Sequence, residues 1–185
     1  VATSSSSFFP ASVIHVHWPD TIPISSDEIH RSLVLDRALE VGMVVLNLNG
    51  EMIGVIQDDQ SVLMIEAISS AIRSLLEKQT IVRPSLGVMY VDIAHAIHLP
   101  IELSRSYTYG ALFYGTASVP RTSVAKAFGF QSGDILLSVN GELINELHGL
   151  DEFIAQYRPK DSIQIVFDRD GQQQTVEVVL GEKTQ

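Results

Sequence analysis

The stretch Ser85-Leu86-Gly87-Val88 carries the clearest chemistry in the chain, and it is chemistry of the backbone. Successive N–H groups around Leu86, Gly87 and Val88 can converge on one anion, as in other backbone nests. Gly87 permits dihedral angles and a close approach that a side chain would block. Met89 and Tyr90 continue the stretch, and Val88 to Val91 would offer an open strand edge onto which a peptide adds as a further strand. Leu150 and Ile154 lie one helical turn apart and would floor a pocket for that peptide's last side chain. Taken alone, Leu-Gly-Val reads more simply as a strand start with a glycine bulge.

The side chains offer less. His15 and His17 are two apart on one face of a strand with Asp20 nearby, which is half a metal site. Histidines so placed more often line a solvent-facing strand, so no metal and no cofactor are expected. His95 and His98 fall in a short polar turn without an evident partner, and His30 and His148 read as single and exposed. Asp58-Asp59 reads as a turn, and Ser4 to Ser7 as a flexible lead-in. With no cysteine in the chain there is no disulfide frame, thiolate metal site or thiol nucleophile.

The elements that must position these residues fall into two regions. Ser12 to Trp18 alternates as a strand that Pro19-Asp20 ends. Ser25 and Glu28 have capping-box spacing, and Ile29, Leu33 and Leu39 follow at loosely helical intervals, which predicts a helix over 27–39. Val44 to Leu48 and Glu51 to Gln57 flank Asn49-Gly50, a strong hairpin signal. Ser61 to Glu66 reads as a strand. Ile68, Ile72, Leu75 and Leu76 predict an amphipathic helix over 65–78. After the polar boundary at 79–84, strands are expected at 86–93, 111–114, 134–139, 162–168 and 174–180, with helices at 123–128 and 147–157. Asn140-Gly141 and Asp170-Gly171 supply two more hairpin turns. The fold class is mainly β with some α, divided into 1–80 and 81–185.

Composition bounds the partners. The 185 residues are 45% apolar and carry a formal net charge of −10. Mean hydropathy is +0.20, high for a free soluble monomer, which points to a covered surface or a missing neighbour. The acidic balance and the lack of any long basic run argue against nucleic acid. No apolar run reaches the roughly 18 residues that span a bilayer. No signal peptide is evident, and a start at Val1 suggests a processed or trimmed form.

Residues 84–180 resemble a circularly permuted PDZ domain of the HtrA/DegP kind. Ser85-Leu86-Gly87-Val88 is similar to that family's carboxylate-binding loop. Ser123-Val124-Ala125-Lys126-Ala127-Phe128-Gly129-Phe130-Gln131-Ser132-Gly133-Asp134-Ile135-Leu136 resembles its helix-to-strand segment, departing from it at Phe128-Gly129. The resemblance implies binding of peptide C-termini through Ser85, Leu86, Gly87, Val88, Met89, Tyr90, Leu150 and Ile154. Residues 13–78 resemble the end of the family's trypsin-like protease domain, chiefly through Asn47-Leu48-Asn49-Gly50-Glu51-Met52-Ile53-Gly54. That makes the first region a partial barrel remnant, and the resemblance implies loop and short strand over 27–39, in conflict with the helix that local spacing predicts there.

In this register Val41 stands where the family has its nucleophilic serine. Of the surrounding loop only Gly42 remains, beside Met43 and Val44, and Val41 to Leu46 reads as a buried strand. A nucleophile also needs a base held by a third group, and the family takes these from a first barrel that residues 1–80 cannot contain. The leading expectation is a pseudoprotease: non-catalytic, HtrA-like, with a PDZ domain serving recognition or scaffolding in a homo- or hetero-oligomeric assembly. The alternative is a fragment or chain of a serine endopeptidase whose catalytic residues lie outside this sequence. A third reading keeps the remnant structural, with the PDZ groove filled by the protein itself. The family resemblance implies a periplasmic or organellar location.

Overall fold

The computed structural model describes residues 8–19 and 23–184, so Asp20 and Ser4 to Ser7 lie outside the described residues. In chain order the elements begin with β1 (Val13–His17), β2 (Ile24–Ser25), β3 (Ser32–Leu35), β4 (Val44–Leu46), β5 (Met52–Ile56) and β6 (Ser61–Met64). They continue with α1 (Ile65–Lys78), β7 (Val82–Ser85), β8 (Met89–Asp92), α2 (Ile101–Ser104), β9 (Ala111–Leu112) and α3 (Val124–Ala127). The last are β10 (Ile135–Val139), β11 (Glu142–Leu143), α4 (Leu150–Gln156), β12 (Ser162–Arg169), β13 (Gln172–Val179) and β14 (Gly181–Thr184). The chain forms two compact units: Val1–His17 with Arg31–Ile65, and Trp18–His30 with Glu66–Gln185.

The first unit is an antiparallel sheet of order β1-β3-β6-β5-β4. Its hairpin at Asn49-Gly50 is organised by Asn47, whose side-chain oxygen accepts from the N–H groups of Asn49 and Glu51, each at 2.9 Å. Gly50 takes φ +82°, which a glycine adopts without steric cost. Leu35, Ile56 and Val62 form a small buried core, with Leu33, Leu39, Met43 and Val45 packed against it. Much apolar surface stays exposed, including Val13, Ile14, Val16, Val44, Leu46 and Leu48.

The second unit is built on a sheet of order β13-β12-β10-β9-β8-β2, with β7 and β14 paired separately. Every residue of β10 is buried, and all but Ser138 are apolar. Ile135 and Leu137 join one cluster, while Leu136 and Val139 join the larger core on the other face. Edge-to-face contacts link Phe130 to Phe113 and to Phe167, with centroids 5.9 and 5.0 Å apart. The Gly133-Asp134 motif is explained by its partners. Asp134 is fully buried, and its two carboxylate oxygens accept from Nε and Nη2 of Arg169 at 2.7 Å each. It also accepts from the Gln131 N–H. Asp168, equally secluded, takes Nη1 of Arg105 at 2.9 Å.

Three expectations are corrected. Residues 27–39 hold no helix. Ser32–Leu35 is a strand, and the oxygens of Ser26 and Asp27 bond a distant loop instead of capping a turn. Val41 to Leu46 is not a buried strand. β4 covers Val44–Leu46, with Val44 and Leu46 exposed, and Val41 is 68% exposed in a turn closed by Gly42 at φ +91°. α1 spans the expected residues but turns Ile72, Leu75 and Leu76 to solvent while burying Ala71 and Ser74. Ser74 holds that orientation: its hydroxyl donates to the Thr80 carbonyl and accepts from the Val82 N–H.

Gly54 and Gly50 test the hairpin by different mechanisms. A Cβ on Gly54 would meet the Leu63 carbonyl oxygen and lie 2.6 Å from Val62 Cγ1, whereas one on Gly50 would meet nothing within 4 Å. Gly54→Ala is expected to cost about 1–3 kcal/mol by overpacking. Gly50→Ala should cost about 1 kcal/mol, through its positive φ alone. Urea denaturation of the two variants checks the ranking.

Candidate functional site

The loop between β7 and β8 turns at Gly87, whose φ of +75° aims the N–H groups of Leu86 and Gly87 to one side. Both donate to Oδ1 of Asp27, at 3.1 and 3.0 Å. The Ser85 hydroxyl donates to Oδ2 of the same carboxylate at 2.6 Å. The next N–H, of Val88, donates to the Ser26 hydroxyl oxygen at 3.2 Å, and that hydroxyl donates on to Asp27. Three successive backbone donors are therefore satisfied by two adjacent residues from far upstream. Hydrogen bonds to a charged acceptor are worth about 1.5–3 kcal/mol each, so the arrangement is a strong one.

The edge of β8 is not open. β2 pairs with it antiparallel, Ile24 opposite Tyr90 and Ser25 opposite Met89. The Ser26 N–H then donates to the Val88 carbonyl at 2.9 Å. Residues 24–27 thus lie on β8 as an added strand that ends with a carboxylate in the loop. Pro23 suits such an edge, since an added strand needs no donor on its outer side. Ile24 is buried in the cluster that also contains Leu86, Val88, Tyr90, Leu150 and Ile154. Burying an isoleucine side chain contributes about 1.5–3 kcal/mol. Leu150 and Ile154, expected to floor a ligand pocket, are wholly buried, and a narrow hollow lined by Ser26, Asp27, Ile29 and Ile154 remains beside the segment.

The segment is fixed from its other end too. The His30 N–H donates to Oδ2 of Asp151 at 3.0 Å, and its ring Nε2 lies 3.1 Å from the Ser25 carbonyl. His30 is therefore half-buried and engaged, not free at the surface. Asp151, in the first turn of α4, also takes the Tyr90 hydroxyl at 2.7 Å. His95 likewise has partners: Asp92 at 3.0 Å and the ring of Trp18, stacked at 3.6 Å. Burial raises the Asp92 carboxyl, and the hydrogen bond from His95 opposes that rise. The β1 histidines His15 and His17 are exposed, and among the described residues no three histidine or acidic side chains group around a common point.

A family model described as PDZ domain matches residues 100–180, the stretch that follows the Gly87 loop. The periplasmic pH-dependent serine endoprotease DegQ of Escherichia coli is 32% identical over 157 residues, 77% of this chain and 32% of that protein. A probable periplasmic serine endoprotease, DegP-like, of Bartonella henselae is 31% identical over 109 residues, 59% of this chain and 20% of that one. The chain is an HtrA/DegP-like protein with a PDZ domain. It spans roughly a third or less of those two relatives. Among solved structures, the HtrA-type protease AlgW with decapeptide matches with a TM-score of 0.57 at 22% identity, over 83% of this chain and 50% of that one. AlgW with tripeptide matches at 0.55 and 17%. The likeness is one of fold.

Val41, expected from the sequence at the nucleophile position, lies in an exposed turn before β4. The surrounding N–H groups are already used: Leu39 donates to Asp59, Gly42 to Ile56 and Met43 to Glu40 carbonyls, at 2.7, 2.8 and 3.2 Å. The upstream partner of the loop, Asp27, escaped sequence reasoning. Its signal was present in Ser-Ser-Asp-Glu, a cluster of short acceptors, but local spacing pointed to a helix cap.

Tyr90 gives a pH-dependent test. Burial, then the negative charge of Asp151, raises its hydroxyl well above the ordinary value of 10.0. In the unfolded chain it would ionise near that value, so the folded form loses stability as pH climbs past about 10. Tyr90→Phe should cost about 1.5–3 kcal/mol at neutral pH, by removing a donor from a buried carboxylate. The difference from the parent should shrink above pH 10, as read by denaturant titration at both pH values.

Proposed function

We propose that this chain is a non-catalytic HtrA-like protein whose PDZ domain binds peptide C-termini through Ser85, Leu86, Gly87, Val88, Met89, Tyr90, Leu150 and Ile154. The observation that carries the reading is the convergence of the Leu86 and Gly87 N–H groups and the Ser85 hydroxyl on one carboxylate. A loop that holds a side-chain carboxylate in this way has the donors a chain terminus needs, and the strand edge beside it supplies the pairing. AlgW, of like fold, was solved with a decapeptide and with a tripeptide, which supports peptide binding here.

Val41 supports the absence of hydrolysis. Its side chain has neither a proton to lose nor a lone pair, and the N–H groups of Leu39, Gly42 and Met43 are taken by carbonyls instead of facing a reaction centre. The competing reading is an endopeptidase portion whose catalytic residues lie beyond this sequence. It is favoured by the small share of its relatives that the chain spans. A fluorophosphonate probe separates the two. We expect no labelled serine in this chain, and stoichiometric labelling would favour the endopeptidase.

The place of work is extracytoplasmic, as in the relatives named periplasmic. No helix of the described residues is long and apolar enough to cross a membrane. The role is recognition or scaffolding within an assembly. The exposed Val13, Ile14 and Val16 on β1 and Val44 and Leu46 on β4 support this, because both are edge strands. Light scattering at micromolar concentration should therefore give a mass above one chain, and a monodisperse monomer would count against assembly.

If the loop reads a chain end, amidation of a binding peptide removes the charge that its donors receive. Affinity should fall at least about tenfold on amidation, since each charge-assisted bond is worth about 1.5–3 kcal/mol. Calorimetric titration of one peptide in both forms makes the comparison. Equal affinities would assign binding to the strand edge alone.

A further inference from the structure

We infer that residues 24–27 are an internal, displaceable ligand of the PDZ groove, so that the site is capped in cis and a peptide binds by competing with Asp27. The inference rests on the peptide-binding reading of the groove and adds its regulation. The segment does with its own atoms what an incoming chain end would do. It pairs antiparallel with β8, buries an apolar side chain at Ile24, and presents a carboxylate where Leu86, Gly87 and Ser85 donate. The charge comes from a side chain because the main chain continues past residue 27.

The contacts favour a cap over an integral strand. β2 is two residues long and stands at the edge of the sheet, whereas β10 in its interior has five residues, all buried. Its polar anchors are the bonds of Ser26 and Asp27 to the loop, those of His30, and the ion pair of Glu28 with Lys183, all of which an incoming chain end and water can replace. The segment is also tethered at both ends, because it lies between β1 and β3, which pair with each other. Tethering gives it an effective concentration on the order of millimolar. An external peptide would see only the uncapped fraction, and its apparent affinity would fall by that fraction. The register also states a ligand preference: an apolar residue at the third position from the charge, with small residues at the two positions between.

The test uses the full chain and a probe taken from it. Acetyl-Ile-Pro-Ile-Ser-Ser carries the sequence of residues 22–26 with a free carboxyl end, which moves the charge from the Asp27 side chain to a terminus. Asp27→Ala should bind this probe at least tenfold more tightly than the parent chain, and equal affinities would overturn the inference. Because the chain has no cysteine, Ser25→Cys with Met89→Cys introduces a single cross-strand pair between opposed residues. The oxidised form should refuse the probe and the reduced form should accept it. Binding by both alike would overturn the inference.

Amide exchange supplies a readout that needs no ligand. In the parent chain the amides of Ser26, Leu86 and Gly87 should exchange together, at least a hundredfold faster than that of Ile165 in β12. Exchange of all four only through global unfolding would make the segment an integral strand and overturn the proposal. If the three amides open together and the probe still binds neither Asp27→Ala nor the reduced form, the peptide-binding reading fails while the mobile cap stands.

Discussion

Backbone N–H groups turned to one side must find an acceptor, and at Leu86, Gly87 and Val88 that demand organises the neighbourhood of the groove. Gly87 takes φ +75°, and a Cβ there would press on Ser123 Cβ at 3.0 Å, so glycine is required both by the dihedral and by the space. Once the loop is shaped this way, its donors face outward beside the edge of β8. Water could satisfy them, but an anion does so more strongly, and Asp27 supplies it. The position of Ile24 and Ser26, the closure of the sheet edge and the engagement of His30 with Asp151 accompany that choice.

The buried carboxylates of the second unit follow the same logic with cations as donors. Asp134 and Asp168 are almost inaccessible, and each is matched by an arginine, Arg169 and Arg105, and by a backbone N–H. Arg169 ties the strand following α4 to the turn preceding β10, and Arg105 also donates to the Gly133 carbonyl. These pairs hold the turn before β10 and the end of β12. Removing one partner would strand a buried charge, which is costly even where the intact pair adds little stability. The motif around Gly133-Asp134 is therefore a piece of construction that keeps the groove's sheet in place, not part of the groove.

What the sequence disclosed follows the range of the interactions. The turns at Asn49-Gly50, Asn140-Gly141 and Asp170-Gly171 are set by residues within four positions, and the strands on either side of them formed. β10 was legible from Ile135-Leu136-Leu137, and α4 from Leu150 and Ile154 one helical turn apart. Residues 25–28 misled because short acceptors satisfy whichever donors are nearest in space. A capping box and a long-range anion look identical in Ser-Ser-Asp-Glu, and the deciding donors lie about sixty residues away at Leu86 and Gly87. Likewise the period of Ile68, Ile72, Leu75 and Leu76 announced a helix but not which face it buries. Ser74, a polar residue with two backbone partners, settled that.

A groove that is already filled alters how its affinity should be read. Binding in such a site is the difference between two similar sets of contacts, so a weak apparent constant does not mean a poor fit. Linkage then works in both directions. A peptide that takes the Leu86 and Gly87 donors frees residues 24–27, and any partner that prefers the freed segment must by the same amount favour peptide binding. The segment is continuous with β1 on one side and β3 on the other, and β1 is an edge strand with every residue exposed. An edge strand that gains a neighbour and a loop that gains a ligand are then the two ends of one stretch of chain. Recognition at the groove and association through the first unit, both proposed above, would then be connected by the covalent continuity of one stretch of chain.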